Sequence, residues 1–237
     1  MYSKLLARFA HNKYRLTIFG LLAGASVLSV AILRVRFAFA GTGSYAFLIW
    51  NLFLAWIPFL IAYFTYTLPL KRPWLYVVVP AAAFLWLIFF PNTLYILTDF
   101  QHLNSMPNDV PVWYDVLLLI WFAWTGLLLG VVSLFLMQEI VRREFGRWFG
   151  WGFVALVAAL TSVGIYMGRF LRWNSWDILY HPAEIVLFTW SRAQDPSVTS
   201  VVFVGIFTVF FLFLYVTLYA FAHLLLEREA NQRTEAI

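Results

Sequence analysis

Six long hydrophobic stretches occupy most of this 237-residue chain, and they constrain its fold more than any other feature. Crossing the roughly 30 Å hydrocarbon core of a bilayer takes about 20 residues of helix. We expect the spans at residues 16–33, 45–66, 74–91, 112–137, 148–167 and 198–226. Charged residues make up only 11% of the chain, against about 25% in soluble domains. The sequence therefore predicts an all-α, polytopic transmembrane helical bundle. It forms one domain, residues 1–237, with short interfacial or re-entrant helices beside the six spans.

The basic residues predict the orientation of the spans. If six helices alternate, eleven of the 16 Lys and Arg residues fall on one side: Lys4, Arg8, Lys13, Arg15, Lys71, Arg72, Arg142, Arg143, Arg147, Arg228 and Arg233. By the positive-inside rule, both termini are then cytoplasmic. Arg34 and Arg36 argue for the opposite side.

Several classes of chemistry are excluded. The chain has no cysteine, so it has no disulfide, thiolate nucleophile or cysteine-ligated metal. We find no nucleotide-binding fingerprint, no zinc-protease helix and no basic arm of the kind that binds nucleic acid. No cofactor can be named from the sequence.

The first polar segment follows the third span. Pro91 lacks a backbone donor and clashes with the preceding turn, so we expect the helix to kink or end there and residues 92–102 to run along the outer surface. Asn92 is expected to accept a hydrogen bond from the freed backbone. Asp99 and His102, three residues apart, share a helix face and could bind a metal, relay a proton or form an ion pair. The alternative is that Asp99 caps or solvates a helix end and that His102 lies in the interface.

Three further polar residues lie at the start of an apolar helix or within one. Asp109 suits the first turn of the fourth span, where an acid complements the helix dipole. Asp115 lies deeper, in a stretch typical of a buried helix. Asn51, in the second span, is expected to bond a neighbouring helix or to reach the same external cluster.

The second polar segment follows the fifth span. Arg169 and Arg172 are three residues apart and together offer two guanidinium forks, which suit a phosphate or a carboxylate. Asn174 and Asp177 follow, and Trp173 and Trp176 flank them. Alternatively, both arginines extend to the interface beside the tryptophans or pair with Asp99, Asp115 or Asp177. The apolar stretch 183–190 then predicts an interfacial or re-entrant helix, because it is too short to span.

Three segments carry a family resemblance: WNLFLAWIP at 50–58, FPNTLYILTDFQHL at 90–103 and GRFLRWNSWD at 168–177. They resemble the bacterial integral-membrane family called domain of unknown function 1361. The resemblance implies a multi-pass protein of the bacterial inner membrane. It implies no activity, substrate or catalytic residue.

We therefore expect an extracytoplasmic polar cluster and no metal site. Its candidate residues are Asn51, Asn92, Asp99, His102, Asp115, Arg169, Arg172, Asn174 and Asp177. The arginines and acids are expected to converge in one external pocket, because charges near hydrocarbon need partners.

Three functions remain open from the sequence. The protein could bind or process an anionic lipid or envelope precursor, transport a small solute or protons, or act as a non-catalytic subunit of a membrane complex. The partners expected are the bilayer, an anionic lipid or small-molecule ligand, and a membrane-complex subunit.

Overall fold

The computed structural model describes the backbone of residues 2–68, 72–104 and 109–235. It describes the side chains of residues 15–68, 76–104, 109–192 and 194–224. The basic side chains at positions 4, 8, 13, 71, 72, 228 and 233, used above for orientation, lie outside the described side chains.

The described chain is helical throughout, with short connections. The α-helices are α1 (Tyr2–Ala40), α2 (Phe47–Thr67), α3 (Arg72–Phe89), α4 (Asn92–Tyr95), α5 (Val112–Phe145), α6 (Arg147–Phe170), α7 (Asp177–Tyr180), α8 (Pro182–Gln194) and α9 (Val198–Glu235). A 3-10 helix, Ile96–Asn104, follows α4.

Six segments are long and apolar enough to cross a membrane: 15–40, 47–67, 76–104, 112–145, 147–170 and 198–224. They carry many exposed large apolar side chains, such as Phe53, Trp124 and Phe213, which suit contact with lipid. The predicted all-α polytopic fold is confirmed.

The chain divides into two compact units, residues 1–136 (unit 1) and residues 137–237 (unit 2). Each unit has buried apolar side chains of its own, so each can be described by itself. The assignment of residues 1–237 to one domain stays a prediction.

The core of unit 1 combines side chains from α1, α2, the 3-10 helix and α5. Leu33, Phe59, Ile96 and Phe122 are each at most 1% exposed. Two buried polar side chains of unit 1, Trp86 and Ser133, are paired with each other. Trp86 Nε1 donates to Ser133 Oγ at 2.6 Å, and Ser133 Oγ donates to the Pro58 carbonyl at 3.1 Å. This pairing is required, because a buried polar group without a partner is costly.

The break before Pro91 is confirmed. α3 ends at Phe89, and Asn92 Nδ2 donates to the Phe89 carbonyl at 2.9 Å. The path of residues 92–102 along the outer surface stays a prediction, and the chain here packs against α2 with Thr93 and Asp99 buried. The physical reason is the apolar spacing of three residues at Leu94, Leu97, Phe100 and Leu103. That spacing matches the three residues per turn of a 3-10 helix and gives the segment one apolar face.

Two glycines bring α5 close to this segment. A Cβ on Gly126 would lie 2.7 Å from the Thr93 carbonyl oxygen, and a Cβ on Gly130 would lie 2.6 Å from Thr93 Oγ1. Only glycine fits at these distances. The spacing of small residues at i and i+4 is typical of close helix packing in membranes.

Unit 2 is built mainly on the packing of α6 against α9. Trp151 of α6 lies edge-on to Tyr219 of α9, with ring centroids 5.0 Å apart. Tyr215 donates to Gln138 Oε1, and both residues are buried. α8 exposes Val186, Leu187 and Trp190. Its location as an interfacial or re-entrant helix stays a prediction.

Candidate functional site

An ion pair between α1 and α5 of unit 1 holds Asp115. Arg36, near the end of α1, donates from Nε to Asp115 Oδ1 at 2.6 Å and from Nη2 to Asp115 Oδ2 at 3.1 Å. The Arg36 side chain is 0% exposed and that of Asp115 is 8% exposed. A bidentate arginine–carboxylate pair is the strongest form of this contact. Because both groups are buried, each charge would be uncompensated without the other.

Asp109 extends the ion pair toward the loop after α1. Arg36 Nη2 lies 3.3 Å from Asp109 Oδ1, and Thr42 Oγ1 donates to Asp109 Oδ2 at 2.7 Å. The hydrogen bond from Thr42, helped by the backbone and by Arg36, lowers the pKa of Asp109 below its usual value. Asp109 is therefore ionised at neutral pH.

Tyr45 covers the other side of the guanidinium. Its ring centroid lies 4.9 Å from Arg36 Cζ, in a cation–π contact. Its backbone φ is +68°, which is unusual for a bulky residue. Burial raises the pKa of Tyr45 above its usual value, so its hydroxyl stays protonated.

We call these five residues, Arg36, Thr42, Tyr45, Asp109 and Asp115, the Arg36 cluster. It contains one cation and two carboxylates and so carries a net charge of −1. Such a cluster repels further anions, and its charges are used to join α1 to α5.

A third carboxylate of unit 1 lies on the 3-10 helix. Asp99 is 1% exposed and accepts a hydrogen bond from Asn51 Nδ2 of α2 at 2.8 Å. One turn later, the His102 ring lies edge-on to Phe47, with centroids 5.0 Å apart. Within the part of the chain that the structure describes, no three His, Cys, Asp or Glu residues are grouped to hold a metal ion.

In unit 2, Arg172 occupies a strained turn at the end of α6. Leu171 caps the helix, and Arg172 follows in the left-handed region with a φ of +58°. Glycine is the usual residue at this position. The Arg172 side chain is exposed, and no acidic group among the described residues lies within ion-pair distance of it.

The nearby acid of unit 2 is used locally. Asp177 Oδ2 accepts from the Asn174 backbone N–H at 2.7 Å and from Asn174 Nδ2 at 3.3 Å. This closes the turn that leads into α7. Arg169, in the last turn of α6, is half-buried.

A family model described as "Protein of unknown function (DUF1361)" matches residues 50–221. The chain belongs to this family. Comparison with curated proteins and with solved structures found no match. In this DUF1361 chain the matched region contains Asn51, Asp99, Asp115 and Arg172, whereas Arg36 and Tyr45 precede it.

The structure of this DUF1361 protein joins some of the predicted site residues and leaves others apart. Asn51 bonds Asp99, and Asn174 bonds Asp177. Asp115 pairs with Arg36, and Asp177 forms no ion pair with Arg172. A shared pocket that joins Arg169 and Arg172 to Asp99 or Asp115 stays a prediction.

Sequence reasoning missed Arg36 as the partner of Asp115. It treated Arg36 only as a loop charge in the orientation argument. The available signal was its position inside an apolar helix, because a charge there is normally paired with another.

Proposed function

We propose that the protein binds the anionic headgroup of a membrane lipid, or of a lipid-linked envelope precursor, through Arg172 and Arg169 of unit 2. The observation that carries the proposal is Arg172, an exposed cation without an acidic partner among the described residues of its unit. A guanidinium offers paired N–H donors that match two oxygens of one phosphate.

The backbone at Arg172 supports a functional role. The left-handed conformation costs an L residue about 1–2 kcal/mol, and glycine would avoid that cost. Strain of this kind concentrates at binding and catalytic sites. The arginine side chain therefore contributes something that glycine could not.

The surroundings of Arg172 suit a headgroup. Trp173 and Trp176 follow it, and tryptophan favours the boundary between lipid and water. α8 exposes Val186, Leu187 and Trp190, which suits insertion of one face into the same boundary. The arginines then lie at the depth of lipid phosphates.

Native mass spectrometry tests this proposal. We expect protein purified in mild detergent to retain an anionic lipid, and Arg172→Ala to reduce that retention about tenfold, the equivalent of roughly 1.4 kcal/mol. Arg192→Ala is the matched control, because Arg192 is also an exposed arginine of unit 2. Equal retention by wild type and both variants would reject the proposal.

We also propose that the Arg172 segment faces the extracytoplasmic side and that both termini are cytoplasmic. The support is the basic-residue count. The natural chain has no cysteine, so single cysteines can be introduced directly. Cysteine at Ser197 is expected to react with an impermeant thiol reagent in intact cells, and cysteine at Gly146 is not. Labelling at Gly146 alone would reverse the assignment.

A second function, proton-coupled transport, is supported by Asp99. Its carboxylate is buried within the candidate span 76–104, where ionisable groups commonly serve proton or ion pathways. In proteoliposomes with an internal pH dye, wild type is then expected to take up protons with its solute, and Asp99→Asn is not. Identical proton fluxes in both would reject this function.

A further inference from the structure

Two polar atoms of the Arg36 cluster are enclosed by protein and form no hydrogen bond with any described residue. They are Arg36 Nη1 and Tyr45 Oη. The other Arg36 donors, Nε and Nη2, are taken by Asp115 and Asp109. The Arg36 guanidinium lies over the Tyr45 ring in the cation–π contact, so the two residues that carry these atoms are neighbours.

Other side-chain donors of unit 1 do have partners. Tyr114 donates to the Ile32 carbonyl at 2.7 Å, and Trp86 donates to Ser133 at 2.6 Å. Buried polar atoms in native proteins are nearly always hydrogen-bonded. In addition, the left-handed backbone of Tyr45 holds its ring against Arg36 despite the strain. Together these observations indicate that the two atoms bind something outside the chain.

The charges of the cluster determine the class of ligand. The cluster already carries a net −1, so an anion would add a second negative charge in an enclosed place. The positive charge of the Arg36 guanidinium repels a cation. Both atoms can donate a hydrogen bond, so a neutral oxygen acceptor fits them.

We propose that Arg36 Nη1 and Tyr45 Oη bind one neutral oxygen acceptor, either the carbonyl oxygen of a lipid ester or a water molecule. Arg36 lies four residues before the end of α1, about 6 Å along the helix at 1.5 Å per residue. With the end of α1 at the membrane surface, this distance matches the interfacial layer, where ester groups and water both occur.

Tyr45→Phe tests the proposal, because it removes only the hydroxyl. The aromatic ring over Arg36 stays, and position 45 keeps a non-glycine residue in the left-handed region. If the hydroxyl binds an acceptor, the melting temperature falls by about 2–4 °C. If the hydroxyl is buried without a partner, removing it leaves the melting temperature unchanged or raises it, and the proposal is overturned. Tyr114→Phe, which loses a hydrogen bond seen in the structure, calibrates the size of the decrease.

Lipid chemistry distinguishes the two sources of the acceptor. Wild type and Tyr45→Phe are compared in nanodiscs of a diester phosphatidylcholine and of its diether analogue, which has no carbonyl. If the acceptor is a lipid ester, Tyr45→Phe lowers the melting temperature in the diester discs only. If the acceptor is a bound water, the substitution lowers the melting temperature equally in both kinds of disc. If the melting temperature decreases in neither kind of disc, the proposal is overturned.

A high-resolution cryo-electron microscopy map of the wild type gives a readout independent of any variant. Density within hydrogen-bond distance of Tyr45 Oη, outside the protein chain, is expected. A well-resolved map without such density also overturns the proposal.

Discussion

In unit 1 the Asp115 carboxylate lies 2.6 Å from an arginine whose side chain is fully buried. In unit 2 the Arg172 guanidinium is exposed, and the neighbouring Asp177 is bound by Asn174 instead. Both regions follow the end of an apolar helix, and both contain a non-glycine residue in the left-handed region, Tyr45 and Arg172. Their charges nevertheless have different uses.

The difference teaches how burial decides the role of a charge. A buried charge must be paired, and once it is paired most of its hydrogen-bonding capacity serves to join helices. An exposed charge needs no partner for the fold, so it stays available for binding. We therefore assign the Arg36 cluster mainly to stability and Arg172 to recognition.

The largest loss of stability is expected from a substitution at Arg36. Arg36→Ala leaves Asp115 buried without its partner, which typically costs about 3–5 kcal/mol. The free energy of unfolding in detergent measures the loss. Arg34→Ala is the matched control, since Arg34 is an exposed arginine on the same helix and its loss is expected to cost within about 0.5 kcal/mol. Similar losses for both variants would show that the ion pair does not stabilise unit 1.

A double substitution sharpens this result. Arg36→Met with Asp115→Leu replaces both charges by apolar groups, which often restores or even raises stability. We expect the double variant to be more stable than Arg36→Ala. If it is equally unstable, the loss comes from packing around Arg36 and not from the uncompensated charge.

A smaller effect is expected at the two Asn–Asp pairs, one in each unit. Asn51→Ala removes a donor to the buried Asp99 carboxylate and is expected to cost about 1.5–3 kcal/mol. Asn174→Ala removes an exposed donor to Asp177 and is expected to cost about 0.5 kcal/mol or less. The same unfolding measurement compares them. A larger loss at Asn174 would contradict the role given to burial.

The smallest effect is the change of stability with pH that comes from Asp109, at the edge of the Arg36 cluster. Asp109 has a pKa below its usual 3.8, chiefly through the hydrogen bond from Thr42. Because the folded pKa lies below the unfolded one, Asp109 contributes stability above about pH 3.8, and this is lost as the pH falls through the folded pKa.

Thr42→Val removes that hydrogen bond and is expected to raise the pKa of Asp109 toward its usual value. Carbon-13 NMR titration of labelled aspartate measures the change, and Asp109→Asn identifies the signal. An unchanged pKa in Thr42→Val would show that Arg36, and not Thr42, keeps Asp109 ionised.

The apolar runs predicted the six spans well, because hydrocarbon forces the backbone into helices that are long and apolar. Pro91 likewise predicted the helix break, since proline removes a donor whatever its neighbours are. The spacing of three residues after it fits a short amphipathic helix at the interface or a re-entrant turn. Its close approach to α5 depends on residues distant in sequence, Gly126 and Gly130.

The candidate site was less predictable. Asp99 and Asn51 were both identified, yet which acid pairs with which base depends on how helices pack. Asp115 pairs with Arg36, 79 positions earlier in the chain. The left-handed turn at Arg172 gave no signal, because the usual mark of such a turn is glycine.

One paired measurement on Arg172→Gly tests the central claim most directly. Glycine relieves the left-handed strain, worth about 1 kcal/mol, so the melting temperature is expected to rise by about 2–4 °C. Native mass spectrometry of the same sample is expected to show loss of the anionic lipid that the wild type retains. A variant that keeps the lipid at wild-type levels, or that loses stability as well as lipid, would contradict the assignment of Arg172 to recognition.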